Sequence, residues 1–153
     1  MVRLSDLDEG FAKNLRELPM PSFGATPWSP PVPLEQARIA LVSTAGIHRR
    51  SDQVFGPGSS DFRLIPGDVD PADLVMSHVS VNFDRSGFQQ DLNLVFPLSH
   101  LQLMAAQGEI GSVAAWHYSF MGATDPARMA DHGAAVGRQL RADGVTAALL
   151  VPV

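Results

Sequence analysis

Cysteine is absent from all 153 residues. That removes disulfides, thiolate metal sites and a cysteine nucleophile from within this chain. Basic charge is scarce as well: 11 Lys and Arg stand against 16 Asp and Glu, for a net charge of -5, with an isoelectric point near 5.4. No basic stripe is available to neutralise phosphates, so a nucleic-acid partner is not expected. The one basic pair, Arg49 and Arg50, reads as a local anion contact or a solvated turn. Long apolar runs are missing too, since none approaches the ~20 residues that span a bilayer. The amino end carries Asp6, Asp8, Glu9 and Glu17, charges that do not fit a secretory signal. The expectation is a soluble, cytoplasmic protein with no membrane partner.

What is present is ordinary for a globular chain: 45% apolar and 18% charged residues. The length suits one domain with a real core. Residues 1–37 read as a Pro-rich arm and 38–153 as the folded α/β domain. Within the arm, Leu4, Leu7, Phe11, Leu15 and Leu18 fall at helical spacing, with Ser5 as N-cap. Pro19 to Pro33 then forbid regular structure up to about Leu34. Trp28 is the expected anchor of this arm, since an aromatic among prolines needs a surface to bury against.

The domain opens with Ile39 to Thr44, a nearly continuous apolar run of the kind buried on both faces of a parallel sheet. Ser51 to Asp70, rich in Gly, Ser, Pro and Asp, reads as a long loop, and such loops tend to be functional. Leu74 to Val81 is expected as a second strand and Ser112 to Ala115 as a short third. Between them, a helix from Pro97 or Ser99 ends at Gly108. Another helix has Thr124 or Asp125 as N-cap, Pro126 in its first turn and Gly144 as its stop. A buried strand from Val145 to Val153 follows it. This order points to an open, mostly parallel sheet with flanking helices, a Rossmann-like or flavodoxin-like half, expected to be incomplete.

Polar residues gather after the strands, where open α/β sheets place their chemistry. His48 follows the first strand, Asp61 and Arg63 lie in the long loop, and His78 sits at the second strand. Asp91 and Asn93 come next, then His117 and Tyr118. Each has a plainer reading. His48 could hydrogen-bond only backbone, His78 could be a core histidine, and Asp91 could merely cap a turn. His100 and His132 read as helix residues without a role. His48, His78, Asp84 and Asp91 are conceivable metal ligands, yet no short-spaced ligand pair supports them, and no metal is expected. Gly56 to Ser60 lacks the Gly-Lys-Ser/Thr ending of a phosphate-binding loop.

Five strings, in this order, resemble one family: Val42 to His48; Arg63 to Gly67; Asp91 to Pro97; Gly108 to Gly111; and His117 to Gly122. The chain from Arg38 to Val153 resembles the selenoprotein B family of glycine, sarcosine, betaine and D-proline reductases, nearest to its D-proline-reductase-like branch. The resemblance implies reductive cleavage of a carbon–nitrogen bond by a selenocysteine, or a cysteine in relatives. It implies a partner subunit whose pyruvoyl group activates the substrate amine, and a dithiol reductant such as thioredoxin. In that family the nucleophile follows a strand like Ala147 to Val153, so it is expected directly after Val153, with no cofactor bound by these residues themselves.

The leading expectation is therefore the amino-terminal part of such a reductase subunit, inactive as it stands. His48 is expected to handle a proton. Thr44, Asp61, Arg63, His78, Asp91 and Asn93 are expected to line the pocket of a small amino acid or amine, Arg63 pairing its carboxylate. The alternatives are a non-catalytic binding or scaffold subunit and a metal-dependent hydrolase.

Overall fold

The computed structural model describes residues 3–20, 22, 24, 29–80 and 85–153. Its centre is β1 (Arg38–Ser43), whose alternate side chains feed two apolar clusters. β7 (Ala147–Val151) pairs with one edge of β1 in parallel, Ile39 facing Ala147 and Ser43 facing Val151. The other edge is shared by two strands laid end to end. β5 (Ser112–Val113) takes the amino half of β1, and β6 (Trp116–Phe120) takes the carboxyl half, both parallel. β3 (Phe62–Pro66) runs antiparallel on the outside of β6. A separate antiparallel pair is formed by β2 (Ile47–Arg49) and β4 (Leu74–Met76).

The main sheet carries helices on both faces, as a mostly parallel sheet must to bury its strands. α3 (Leu98–Ala106) presents Leu98 and Leu101 to a core of Ile39, Leu41, Ile65 and Phe96. α4 (Ala130–Ala142) presents Val136 to Tyr118 and Phe120 on the opposite face. Gly108 and Gly144, at φ of 75° and 69°, terminate these helices in the left-handed conformation that glycine adopts at least cost. The expected open α/β architecture is present.

Several local expectations need correction. The arm forms not one helix but a 3-10 turn (Leu4–Asp6) and α1 (Glu9–Arg16), and the cap is Asp8, whose carboxylate accepts from the Phe11 amide at 3.0 Å. Trp28, Asp84 and Val81 lie outside the described residues. The supposed loop Ser51 to Asp70 contains β3, an edge strand whose flanking Gly, Ser and Pro masked it. The second expected strand stops at Met76. The third is displaced: β5 covers only two residues, and the long pairing belongs to β6, so His117 and Tyr118 lie in a strand rather than after one. The second long helix begins as a 3-10 turn (Pro126–Met129) capped by Asp125 before α4 proper. Finally, β7 is not buried. It is an edge strand with Leu150 68% exposed.

α2 (Ser86–Gln90) and a 3-10 turn (Leu92–Leu94) follow, and their Phe88 and Leu92 line a cavity together with Ile47 and Leu74 of the β2–β4 pair. Among the described residues, no helix is long and apolar enough to cross a membrane.

Candidate functional site

Three parallel strands end together at Ser43, Phe120 and Val151, the position where α/β sheets bind ligands. The chain leaves β1 through Thr44-Ala45-Gly46. Hydrogen bonds tie that turn to the strands around it. Thr44 N–H donates to Val151 O at 3.1 Å, while Thr44 O accepts from Gly122 N at 3.0 Å. Thr44 Oγ1 accepts from Val153 N at 2.8 Å and donates to Val153 O at 3.3 Å. Thr44 thus joins the ends of β6 and β7 through one residue.

Gly46, at φ 66°, tucks between the end of β6 and the segment after β4. Its N–H donates to Phe120 O at 2.8 Å and its carbonyl accepts from Ser77 N at 3.0 Å. A Cβ at this position would lie 2.9 Å from His78 N, so both the backbone angle and the space require glycine. Two buried serines brace the same turn. Ser43 Oγ donates to Val95 O at 2.8 Å, and Ser119 Oγ accepts from Ile47 N at 2.8 Å.

His48 lies within β2, not after the first strand, and is buried. Its Nδ1 donates to the Arg49 carbonyl at 2.7 Å, so in the neutral ring Nε2 carries the lone pair. Nε2 is buried without a hydrogen-bond partner among the described residues. The His48 ring meets Phe55 edge-on at 6.2 Å, and the Arg63 guanidinium lies over the Phe55 ring at 4.4 Å. Phe55 therefore brings His48 and Arg63 together, a link the sequence reading did not identify. Arg63 is already occupied. It holds Asp61 at 2.7 Å and the Gln53 carbonyl at 2.7 Å, so a substrate carboxylate would have to displace Asp61.

His78 is buried beside the Gly46 turn, and its Nδ1 accepts from Ser80 N at 3.1 Å. Burial, then the nearby Arg85 charge, depresses its pKa. Asp91 and Asn93 stand apart. Asp91 caps the 3-10 turn by accepting from both nitrogens of Asn93 at 2.9 Å, and these hydrogen bonds lower its pKa. Asn93 Oδ1 in turn accepts from Ser99 at 2.7 Å. The two residues border a cavity of about 170 Å³ that Gln102 and Leu98 help line. A larger neighbour of about 390 Å³ lies against Val75, Met76 and Phe88. His48, Arg63 and His78 border neither of these two cavities. No group of three His, Asp or Glu side chains among the described residues is arranged to hold a metal ion.

His117 has an unusual placement that the sequence reading did not foresee. Leu41 N–H points to the break between β5 and β6, where no strand carbonyl meets it. The His117 side chain fills the gap, Nδ1 accepting from Leu41 N at 2.9 Å. The ring is wholly buried against Phe96, and burial lowers its pKa to about 4.

Comparison with known proteins identifies the family. Residues 8–153 match the family model described as glycine/sarcosine/betaine reductase selenoprotein B. The chain is 34% identical over 127 residues to the D-proline reductase subunit gamma of Acetoanaerobium sticklandii, covering 80% of this chain and 52% of that one. It is 33% identical over 140 residues to the glycine reductase complex component B subunit gamma of Carboxydothermus hydrogenoformans, covering 88% of this chain and 32% of the relative. A sarcosine reductase complex component B subunit beta from Peptoclostridium acidaminophilum is 27% identical over 142 residues, with 88% and 32% covered. The chain thus spans about half the length of the first of these relatives and about a third of the other two. No solved structure matches. With a family match running from the arm to the end of the last strand, the chain belongs to the glycine/sarcosine/betaine reductase selenoprotein B family.

Proposed function

We propose that this chain is the amino-terminal portion of a reductase subunit that cleaves a carbon–nitrogen bond of a small amino acid or amine such as glycine, betaine, sarcosine or D-proline. The observation that carries the reading is the family match over residues 8–153, with relatives named as subunits of reductase complexes. The backbone of Val153 is tied by Thr44 at the shared carboxyl ends of β1, β6 and β7.

The nucleophile, which the family resemblance places directly after Val153, is in this reading a selenocysteine or cysteine. A selenol or low-pKa thiol is ionised near neutrality and is a soft nucleophile able to form a covalent intermediate. Its attack forms a bond to the carbon bearing nitrogen as the carbon–nitrogen bond breaks, and the nitrogen leaves protonated. A dithiol such as thioredoxin then supplies two electrons and a proton to that carbon, becoming a disulfide and regenerating the nucleophile. A pyruvoyl group on a partner subunit is the proposed activator of the substrate amine. Residues Met1 to Val153 contain no side chain that can undergo this exchange, so these 153 residues by themselves are inactive.

His48 is the proposed proton carrier, supported by its lone-pair Nε2. Family membership and the relatives named as complex subunits support the reductase role and the need for a partner.

The test begins with the nucleotides after codon 153. A selenocysteine-type in-frame stop or a cysteine codon, followed by further coding sequence, is expected. An ordinary stop followed by unrelated sequence defeats the reading. The extended product with its partner should release amine from one of the four substrates with a dithiol present, and the 153-residue form should not.

A further inference from the structure

We infer that Thr44 is a positioning residue: its hydroxyl, backed by the small space at Gly122, anchors the main chain at Val153 and so fixes where the following residue is presented. The inference rests on the proposed reaction for its functional consequence, but its structural half stands on geometry alone.

Parallel pairing of β7 with β1 runs in regular register only as far as Ser43 and Val151. Beyond it, Pro152 has no N–H to offer the sheet. The next main-chain donor, Val153 N–H, goes to the Thr44 side chain, while the Thr44 carbonyl accepts from Gly122 N. Thr44 Oγ1 takes that donor at 2.8 Å and returns its own proton to Val153 O at 3.3 Å. A hydroxyl is the simplest group that can accept and donate at once. Valine has the same shape and does neither.

Gly122 closes the other side. A Cβ there would stand 2.9 Å from Thr44 Cβ and 3.0 Å from Val153 O. The first contact presses on a side chain rigidly held by its own hydrogen bonds, and the second presses on backbone. Any larger residue at this position must push Val153 away from Thr44. The anchor therefore has two independent parts, a hydroxyl that pulls and a glycine that leaves room.

Amide hydrogen exchange by NMR on the 153-residue chain tests the anchor without reference to catalysis. Thr44→Val is expected to speed exchange at Val153 by roughly tenfold or more, while the buried Leu41 amide keeps its rate and reports that the fold is intact. Thr44→Ser should keep Val153 protected. Gly122→Ala should expose Val153 through the opposite wall. Unchanged exchange at Val153 in Thr44→Val overturns the anchor.

The functional half is read in the protein extended past Val153, with its partner. Iodoacetamide labelling first shows whether a selenol or thiol follows Val153. D-proline, glycine, sarcosine and betaine are then offered in turn with dithiothreitol. Thr44→Val should lower kcat by up to about 10²-fold, the cost of a displacement near 1 Å, with KM within twofold, and Thr44→Ser should restore most of the loss. Unchanged kcat in a labelled, folded Thr44→Val protein overturns the positioning role. No labelling, or no wild-type turnover with any of the four, ends the reductase reading and the positioning role together, while the exchange data still decide the anchor.

Discussion

The two ends of the same parallel strands are held in opposite ways. At the amino ends, charge does the holding. Arg38 donates to Asp143 through Nε to the carbonyl at 2.7 Å and through Nη2 to the carboxylate at 2.5 Å, and it also reaches Val113 O at 3.0 Å. Asp143 Oδ2 then accepts from Ala115 N at 2.8 Å. One ion pair thereby ties β1, the β5–β6 break and the end of α4. At the carboxyl ends no ion pair among the described residues links the strands. A neutral hydroxyl, two serines and two glycines hold the Thr44 turn. Charged clamps are costly to break, whereas neutral single bonds contribute about 1 kcal/mol each. The sheet is locked by charge at its amino ends and lightly held where the reaction is proposed.

The hardest blow to this contrast falls on the clamp. Asp143→Ala leaves Arg38, a partly buried guanidinium, without its carboxylate and the Ala115 amide without its acceptor. A loss of about 3 kcal/mol is expected from urea unfolding. A loss below 1 kcal/mol would mean that the amino end is held by packing instead.

Almost as large, but confined to acid, is the effect of His117. The unfolded chain takes up a proton near pH 6.5, whereas the folded chain resists until about pH 4. The unfolded state therefore binds more protons in that window. Stability should be fully present above about pH 6.5 and fall as the pH drops towards 4, by about 3 kcal/mol in all. His78, lowered in the same direction by burial, adds to the slope. Burial would raise the Asp143 carboxyl, but the hydrogen bonds from Arg38 and Ala115 outweigh it and hold the group below its ordinary value. Its contribution is lost at still lower pH. His117→Gln should flatten the stability profile between pH 6.5 and 4, and an unchanged slope would reassign the effect.

The lightly held end predicts a smaller loss. Thr44→Val should cost about 1 kcal/mol, since one hydroxyl with two bonds is removed and the volume is kept. A loss as large as that of Asp143→Ala would erase the contrast between the two ends.

Smallest of all is the surface of β7. Leu149 and Leu150 are exposed on an edge strand, a ready surface for association. Leu150→Lys should leave unfolding within ~0.5 kcal/mol while reducing self-association in analytical ultracentrifugation. A chain monomeric before the change would remove that prediction.

Much of the frame was legible in the residues. β1 was readable because Ile39 to Val42 is apolar without interruption, and α3 and α4 because Gly108, Asp125, Pro126 and Gly144 mark their boundaries. β3 was not, because its pattern is short and lies between turn-forming residues. The break between β5 and β6 left no signal, since a side-chain nitrogen completes the ladder at Leu41. Of the site residues, Thr44 was identifiable from its place after an apolar strand. The pairing of Arg63 with Asp61, and its stacking on Phe55, depends on where a loop folds back.

By itself, the sequence determined the acidic composition, the lack of any thiol, the α/β alternation and the family, since these rest on residue identity and local order alone. Only the tertiary structure decided that β7 lies at an exposed edge, that His117 substitutes for a backbone acceptor, and that Thr44 meets Val153 across 109 residues of chain. Those are contacts between segments far apart in sequence. They are set by which strands share an edge, and the periodicity of any single segment does not carry that information.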